Sequence, residues 1–210
     1  MNKKAAIKGV YAVTPDGADT EDLLRRLRAA IAGGVRLVQY RNKTAAPELR
    51  RQQATRLIHL CRPAAVCVIV NDCVELACEL DADGVHLGAG DLAPGAARAA
   101  LGGEKIIGVS CYNRLDRALA AKAQGADYVA FGSFFSSATK PGAVRAEMEL
   151  LSAAKANFDL PLVAIGGITA ANAGLLVQAG ADAVGVIQSL FGAADIEQEA
   201  RRLCALFAPS

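Results

Sequence analysis

The chain has 210 residues, 53% of them hydrophobic and 21% charged, a balance too apolar for disorder but without the long apolar run that a membrane span requires. Its 23 Lys and Arg against 21 Asp and Glu leave a formal charge of +2. That near balance argues against a broad nucleic-acid or membrane footprint and leaves any anionic ligand to a few well-placed groups.

The length suits one domain over residues 1–210 with a full core. No apolar segment follows Met1-Asn2-Lys3-Lys4, so a secretory signal is not expected. The six cysteines form no Cys-x-x-Cys pair and several fall inside apolar runs. They read as reduced structural thiols of a cytoplasmic protein. A zinc site lacks its spacing, with His59 and His86 as the two histidines.

Short β-branched runs alternate with longer Ala/Leu/Arg-rich segments, the pattern of parallel strands with crossover helices. The first strand is predicted at Val10–Thr14. After it, Asp19-Thr20 reads as a helix cap, and Leu23, Leu24, Leu27 and Ile31 carry the helical period up to a stop at Gly33-Gly34. The second strand, Leu37–Arg41, leads into Asn42-Lys43. If the extended conformation continues, Gln39, Arg41 and Lys43 share one face and offer charge-assisted donors to an anion. A solvated basic edge is the plainer reading.

The third strand, Cys67–Asp72, ends in Asn71-Asp72, and the fourth, Gly84–Leu87, runs into Gly88-Ala89-Gly90-Asp91. Asp72 and Asp91 on neighbouring strand ends can hold one Mg²⁺ that takes its other ligands from water and substrate phosphates. Each alone would more often be a cap or turn residue. The Gly88-x-Gly90 pair lacks the third glycine of a dinucleotide fingerprint. The fifth strand, Ile106–Cys111, presents Ser110 as a hydroxyl donor or as a helix cap.

The sixth strand, Tyr128–Gly132, feeds a loop with Phe134, Phe135, Ser136, Ser137, Thr139 and Lys140, read as a lid bearing hydroxyls and a cation, or else as a plain solvated loop. The seventh, Pro161–Gly167, ends in Gly166-Gly167, where backbone N–H groups could approach a phosphate, although a tight turn would also explain the glycines. The eighth, Ala183–Ile187, delivers Ile187-Gln188 to complete that cup. The repeated Asp83-Gly84, Ala126-Asp127 and Ala181-Asp182 junctions mark helix ends turning into strands. Eight evenly spaced units predict a closed single (β/α)₈ barrel of the TIM type rather than an open doubly wound sheet.

On that barrel the polar residues gather at the C-terminal strand ends, giving a metal-assisted anion site and a glycine-rich one on a single mouth. No Ser–His or Cys–His pair is apparent, nor a carboxylate pair placed for acid–base work. The arrangement suits departure of a pyrophosphate and attack by a phosphorylated partner.

The ordered set Tyr11–Thr14, Gly33–Lys43, Asn71-Asp72, Asp83–Gly88, Ile107–Ser110, Thr139-Lys140 and Ala164–Ile168 resembles the thiamine phosphate synthase family over nearly the whole chain. The resemblance implies a transferase that joins hydroxymethylpyrimidine pyrophosphate to thiazole phosphate by a dissociative, Mg²⁺-assisted route. It implies that Gln39, Arg41, Lys43, Asn71, Ser110 and Lys140 hold the pyrimidine pyrophosphate, with Arg41, Lys43, Ser110 and Lys140 as the catalytic set. Asp72 and Asp91 would bind Mg²⁺, and Ser137, Thr139, Gly167, Ile187 and Gln188 would take the thiazole phosphate. The chain departs from the family pattern at Ala89, Ser136-Ser137 and Gln188, so at Gln188 only backbone donation carries over. No nucleic-acid or membrane partner is implied, and a homo-oligomer is compatible. A thiazole tautomerase relative would not need Arg41, Lys43, Asp72 and Asp91 together. A regulatory barrel that binds without turnover is the other alternative.

Overall fold

The computed structural model describes residues 6–136, 142 and 144–208. Among these, eight parallel strands form a closed barrel, each paired with its sequence neighbours and β1 with β8. The strands are β1 (Gly9–Val13), β2 (Leu37–Tyr40), β3 (Cys67–Asn71), β4 (Gly84–Leu87), β5 (Ile106–Tyr112), β6 (Tyr128–Phe131), β7 (Leu162–Ile165) and β8 (Ala183–Val186). Helices α1 (Thr20–Ala32), α2 (Pro47–Cys61), α3 (Val74–Glu79), α4 (Pro94–Leu101), α5 (Leu115–Ala123), α6 (Glu149–Asn157), α7 (Ala173–Gln178), α8 (Gln188–Phe191) and α9 (Ile196–Ala205) complete the units.

Strand alternation divides the core. One set of side chains, including Tyr11, Leu37, Ile69, Ile106, Tyr128 and Val163, fills the barrel interior. The alternate set, including Val38, Val68, Val85 and Leu162, packs under the helices. Coverage on both faces explains why these strands read as continuous apolar runs.

The expected capping of α1 is present: the Asp19 carboxylate accepts from Asp22 N at 3.0 Å. Leu23, Leu24 and Leu27 are buried as expected, while Ala30 rather than Ile31 completes the buried stripe.

Strand ends differ from the sequence expectation where the backbone turns. β2 stops at Tyr40 because Thr14 Oγ1 accepts from Arg41 N and donates to Arg41 O, both at 2.8 Å, drawing the chain toward β1. β7 stops at Ile165 because Gly166 and Gly167 take φ of 97° and 64°.

The recurring Asp junctions form one device at the N-terminal end of the barrel. Asp83, Asp127 and Asp182, each just ahead of an even-numbered strand, accept from Val68 N, Ile107 N and Leu162 N at 2.7, 2.8 and 2.7 Å. Their own amides donate back to the carbonyls of the same three residues. Each aspartate thus clasps its strand to the preceding odd-numbered one with a charge-assisted bond.

Candidate active site

The first rim of the mouth is built where β1, β2, β3 and β4 end. Arg41 donates to both Asp16 carboxylate oxygens at 3.0 Å. The same carboxylate accepts from Lys43 N at 2.6 Å, so Asp16 organises the loop after β2. Sequence reading passed over Asp16, whose role appears only when the β1 and β2 loops meet. Lys43 Nζ reaches the other way, to Asp72 Oδ2 at 3.0 Å.

Gln39, Arg41 and Lys43 therefore diverge, because the extended conformation on which their shared face depended ends at Tyr40. Gln39 turns inward and donates to the Tyr11 hydroxyl. Arg41 points to Asp16 and Lys43 to Asp72. Between them Asn42 is buried against Gly17 and Gln53, pinning the turn.

Asn71 closes β3, and Asp72 follows in a left-handed conformation with φ 64°, which aspartate tolerates better than most side chains. Asp72 N donates to His86 O at 2.8 Å, fixing this residue against the end of β4. Asp91 returns from the loop after β4 and accepts from Gly88 N at 2.6 Å. The Asp72 and Asp91 carboxyls are neighbours, and each shifts the other's protonation. Burial pushes Asp72 up, but the Lys43 ammonium and the bond with Asp91 outweigh it and hold Asp72 below the usual carboxylate range. Burial and the Asp72 charge push Asp91 up despite the Gly88 N–H.

Two carboxylates held this closely repel when both are ionised, and a hard divalent cation relieves that repulsion. The donor set fits Mg²⁺, which characteristically binds through one or two carboxylates and completes its shell elsewhere. No group of three or more metal-binding side chains occurs among the described residues.

The barrel interior corrects one sequence expectation. A Ser–His pair exists: His86 Nε2 lies 2.8 Å from Ser110 Oγ. The signal was in the alternation. Gly84 and His86 share a phase on β4, Gly108 and Ser110 share one on β5, and the register sets His86 beside Gly108. On its other side His86 Nδ1 meets the Tyr128 hydroxyl, and no carboxylate supports the ring there. Burial holds the imidazole down at about 4. The pair lacks the oriented base of a serine nucleophile.

The second rim lies at β7 and β8. Phe134 N and Phe135 N donate to Ile165 O and Gly166 O at 3.1 Å, so the root of the loop after β6 lies along the end of β7. Phe134 is buried, a seated anchor as expected. A Cβ on Gly166 would fall 1.9 Å from Ser133 Oγ, and one on Gly167 2.3 Å from Ser136 O. Packing against this loop therefore already requires both glycines. Ile187 leads into the short α8, and the Gln188 amide folds back over Gly192. Ser137, Thr139 and Lys140 lie outside the described residues. Arg145, not singled out from sequence, bonds Ser136 Oγ and Phe134 O at 3.2 Å on the return of that loop.

Fold and site together define a (β/α)₈ barrel enzyme with cations, paired carboxylates and a glycine turn at one mouth. The sequence model of the family described as thiamine monophosphate synthase matches residues 10–190. The chain belongs to this family, and its membership makes it a transferase. It is 53% identical over 201 residues to a thiamine-phosphate synthase of Nitrosospira multiformis, covering 96% of this chain and 86% of the relative. It is 50% identical to that of Methylococcus capsulatus, covering 95% and 89%. A solved thiamine phosphate pyrophosphorylase from Pyrococcus furiosus superposes with a TM-score of 0.88 at 32% identity, covering 98% of each chain.

Proposed function

We propose that the chain joins hydroxymethylpyrimidine pyrophosphate to hydroxyethylthiazole phosphate, giving thiamine phosphate and pyrophosphate. The observation that carries this reading is the meeting of Lys43, Asp72 and Asp91 on one rim of the mouth, with Arg41 tied to the same loop through Asp16. The names of the relatives support the same product.

Asp72 and Asp91 would hold Mg²⁺, which when bound supplies charge neutralisation for the leaving pyrophosphate. Arg41 and Lys43 exchange Asp16 and Asp72 for phosphate oxygens and stabilise the negative charge as it grows. Lys140 joins them, and Gln39, Asn71 and Ser110 orient the pyrimidine substrate. The C–O bond breaks with its electron pair leaving on the pyrophosphate oxygen. The aminopyrimidine ring delocalises the resulting methylene cation, and the thiazole nitrogen closes the new C–N bond. Ser137, Thr139, Gly167 and the Ile187-Gln188 backbone hold the thiazole phosphate. Seating both substrates at one mouth converts a two-body encounter into a positioned step, and no covalent bond to the enzyme is needed.

A cytoplasmic location belongs to the same proposal. It is supported by six free cysteines, of which Cys61 and Cys111 are buried and pushed up to about 12. The test is to supply purified protein with both substrates and Mg²⁺ and to look for thiamine phosphate and pyrophosphate. Absence of product at saturating substrates overturns the proposal, and undiminished turnover in excess chelator removes the metal from it.

A further inference from the structure

Five polar side chains from five strands form one unbroken chain across the barrel interior. Gln39 Nε2 donates to the Tyr11 hydroxyl at 2.9 Å, and the Tyr11 and Tyr128 hydroxyls are 2.8 Å apart. The Tyr128 hydroxyl lies 2.8 Å from His86 Nδ1, and His86 Nε2 lies 2.8 Å from Ser110 Oγ. Tyr11, Tyr128, Gln39 and His86 are 1%, 0%, 5% and 7% exposed, so no solvent exchange loosens the interior links. Only the ends, Gln39 and Ser110, belong to the proposed substrate contacts.

The rings are fixed by more than these bonds. Tyr128 stacks on His86 with centroids 5.6 Å apart and meets Tyr11 edge-on at 6.0 Å. A Cβ on Gly108 would lie 1.9 Å from Tyr128 Cζ, so the bare glycine on β5 is what admits the ring.

Proton bookkeeping gives this chain a direction. An amide nitrogen only donates, so Tyr11 accepts from Gln39 and, with its own proton used inside the chain, donates it to Tyr128. Tyr128, having accepted, donates to His86 Nδ1. A neutral His86 then carries its proton on Nε2 and donates it to Ser110 Oγ. The Ser110 hydroxyl proton is left to point at the mouth, while Gln39 keeps its Oε1 and one N–H for the other end. Turning the Gln39 amide over reverses every link and draws the Ser110 proton inward. The two ends therefore cannot be set independently.

We propose that Tyr11, Tyr128 and His86 are positioning residues that lock the amide sense of Gln39 to the hydroxyl sense of Ser110, so that Ser110 faces substrate as a donor. The inference rests on the reading of Ser110 and Gln39 as substrate contacts. The alternative is a buried polar chain that only satisfies its own hydrogen bonds. In that case the orientation of Ser110 would not depend on Tyr128.

Nitrogen-15 NMR of the imidazoles separates the two, and His59→Gln on the exposed side of α2 leaves His86 as the single histidine signal. His86 should show a protonated Nε2 and an unprotonated Nδ1, and Tyr128→Phe should populate the other tautomer. Kinetics supply the second arm. Tyr128→Phe should lower the single-turnover rate about tenfold with a smaller change in KM, but should cause little further loss in a Ser110→Ala background, as expected of residues acting in one network. Tyr11→Phe provides the same comparison should Tyr128→Phe fold poorly. A protonated Nδ1 in the parent protein, or equal losses from Tyr128→Phe with and without Ser110, would overturn the inference. Failure of the parent protein to form thiamine phosphate would instead strike the proposed function, leaving the tautomer result intact.

Discussion

Lys43 Nζ sits 3.0 Å from Asp72 Oδ2, joining the loop after β2 to the end of β3. The pair sets a cation and a carboxylate beside Asp91, where an incoming metal–pyrophosphate complex would have to divide them. Asp72→Asn should raise the Mg²⁺ concentration needed for half-maximal activity by tenfold or more, in line with about 1.4 kcal/mol per factor of ten, and leave thiazole phosphate binding largely intact. Asparagine is the informative replacement because it also tolerates the φ of 64° at this position. An unchanged Mg²⁺ requirement would count against Asp72 as a metal ligand.

Arg41 should matter most as charge develops on the leaving group. Arg41→Ala is expected to reduce the single-turnover rate on the order of 10²–10³, the usual effect of removing one preorganised donor, with a smaller effect on substrate affinity. Asp16→Asn should give a milder defect, since it loosens the loop carrying Arg41 and Lys43 without removing either cation. A rate within about twofold of the parent for Arg41→Ala would move the pyrophosphate contact elsewhere.

Gly108→Ala tests the interior packing. The added methyl must displace the Tyr128 ring, so the protein should lose about 1–3 kcal/mol of stability and the His86 tautomer should become mixed. Thermal unfolding and imidazole NMR read the two effects separately. A well-tolerated alanine with unchanged His86 signals would mean that the ring can shift at little cost.

Gly167→Ala should disturb the loop root rather than one ligand alone. The position needs a left-handed backbone, and the new Cβ would press on Ser136 O. A loss above about 1 kcal/mol is expected, with faster hydrogen exchange at Phe134 and Phe135. Selective loss of thiazole phosphate binding with unchanged exchange would show instead that the glycine serves the phosphate.

The pH dependence of stability should carry a His86 contribution of definite sign. Burial favours the neutral ring, with Asp72 opposing and Lys43 reinforcing the shift, and brings the imidazole from its usual 6.5 down to about 4. A depressed folded value means the contribution is complete above about pH 6.5 and is lost as pH falls toward 4, amounting to roughly 3 kcal/mol. His86→Asn should flatten that part of the curve in chemical-denaturation measurements across pH 4–7. A slope unaltered by the substitution would place the acid sensitivity in other groups.

Much of the barrel was legible because strands covered on both faces leave uninterrupted apolar runs, and all eight expected segments overlap the observed strands, seven of them with both ends within one residue. The rim residues were legible as types, and Lys43, Asp72 and Asp91 do meet. The Ser110–His86 pair was not seen because its members come from different strands and only alternation and register together aim them at each other. Asp16 was invisible for a related reason: its partners lie 25 or more residues away along the chain. Gly166 and Gly167 carried a true signal, but one that packing against Ser133 and Ser136 accounts for before any ligand enters.

The clasps of Asp83, Asp127 and Asp182 divide the molecule into staves of two strands, with each carboxylate and its amide inside one stave. A break in the turn after α4 would leave β3 with β4 on one piece and β5 with β6 and β7 with β8 on the other. Each fragment would keep its own clasps, and the pieces would close again through the backbone seams at β4–β5 and β8–β1, with the Arg98–Asp127 ion pair spanning the first. A break between α3 and β4 would instead part Asp83 from Val68. The barrel thus has natural cleavage lines, and they run between its pairs of strands.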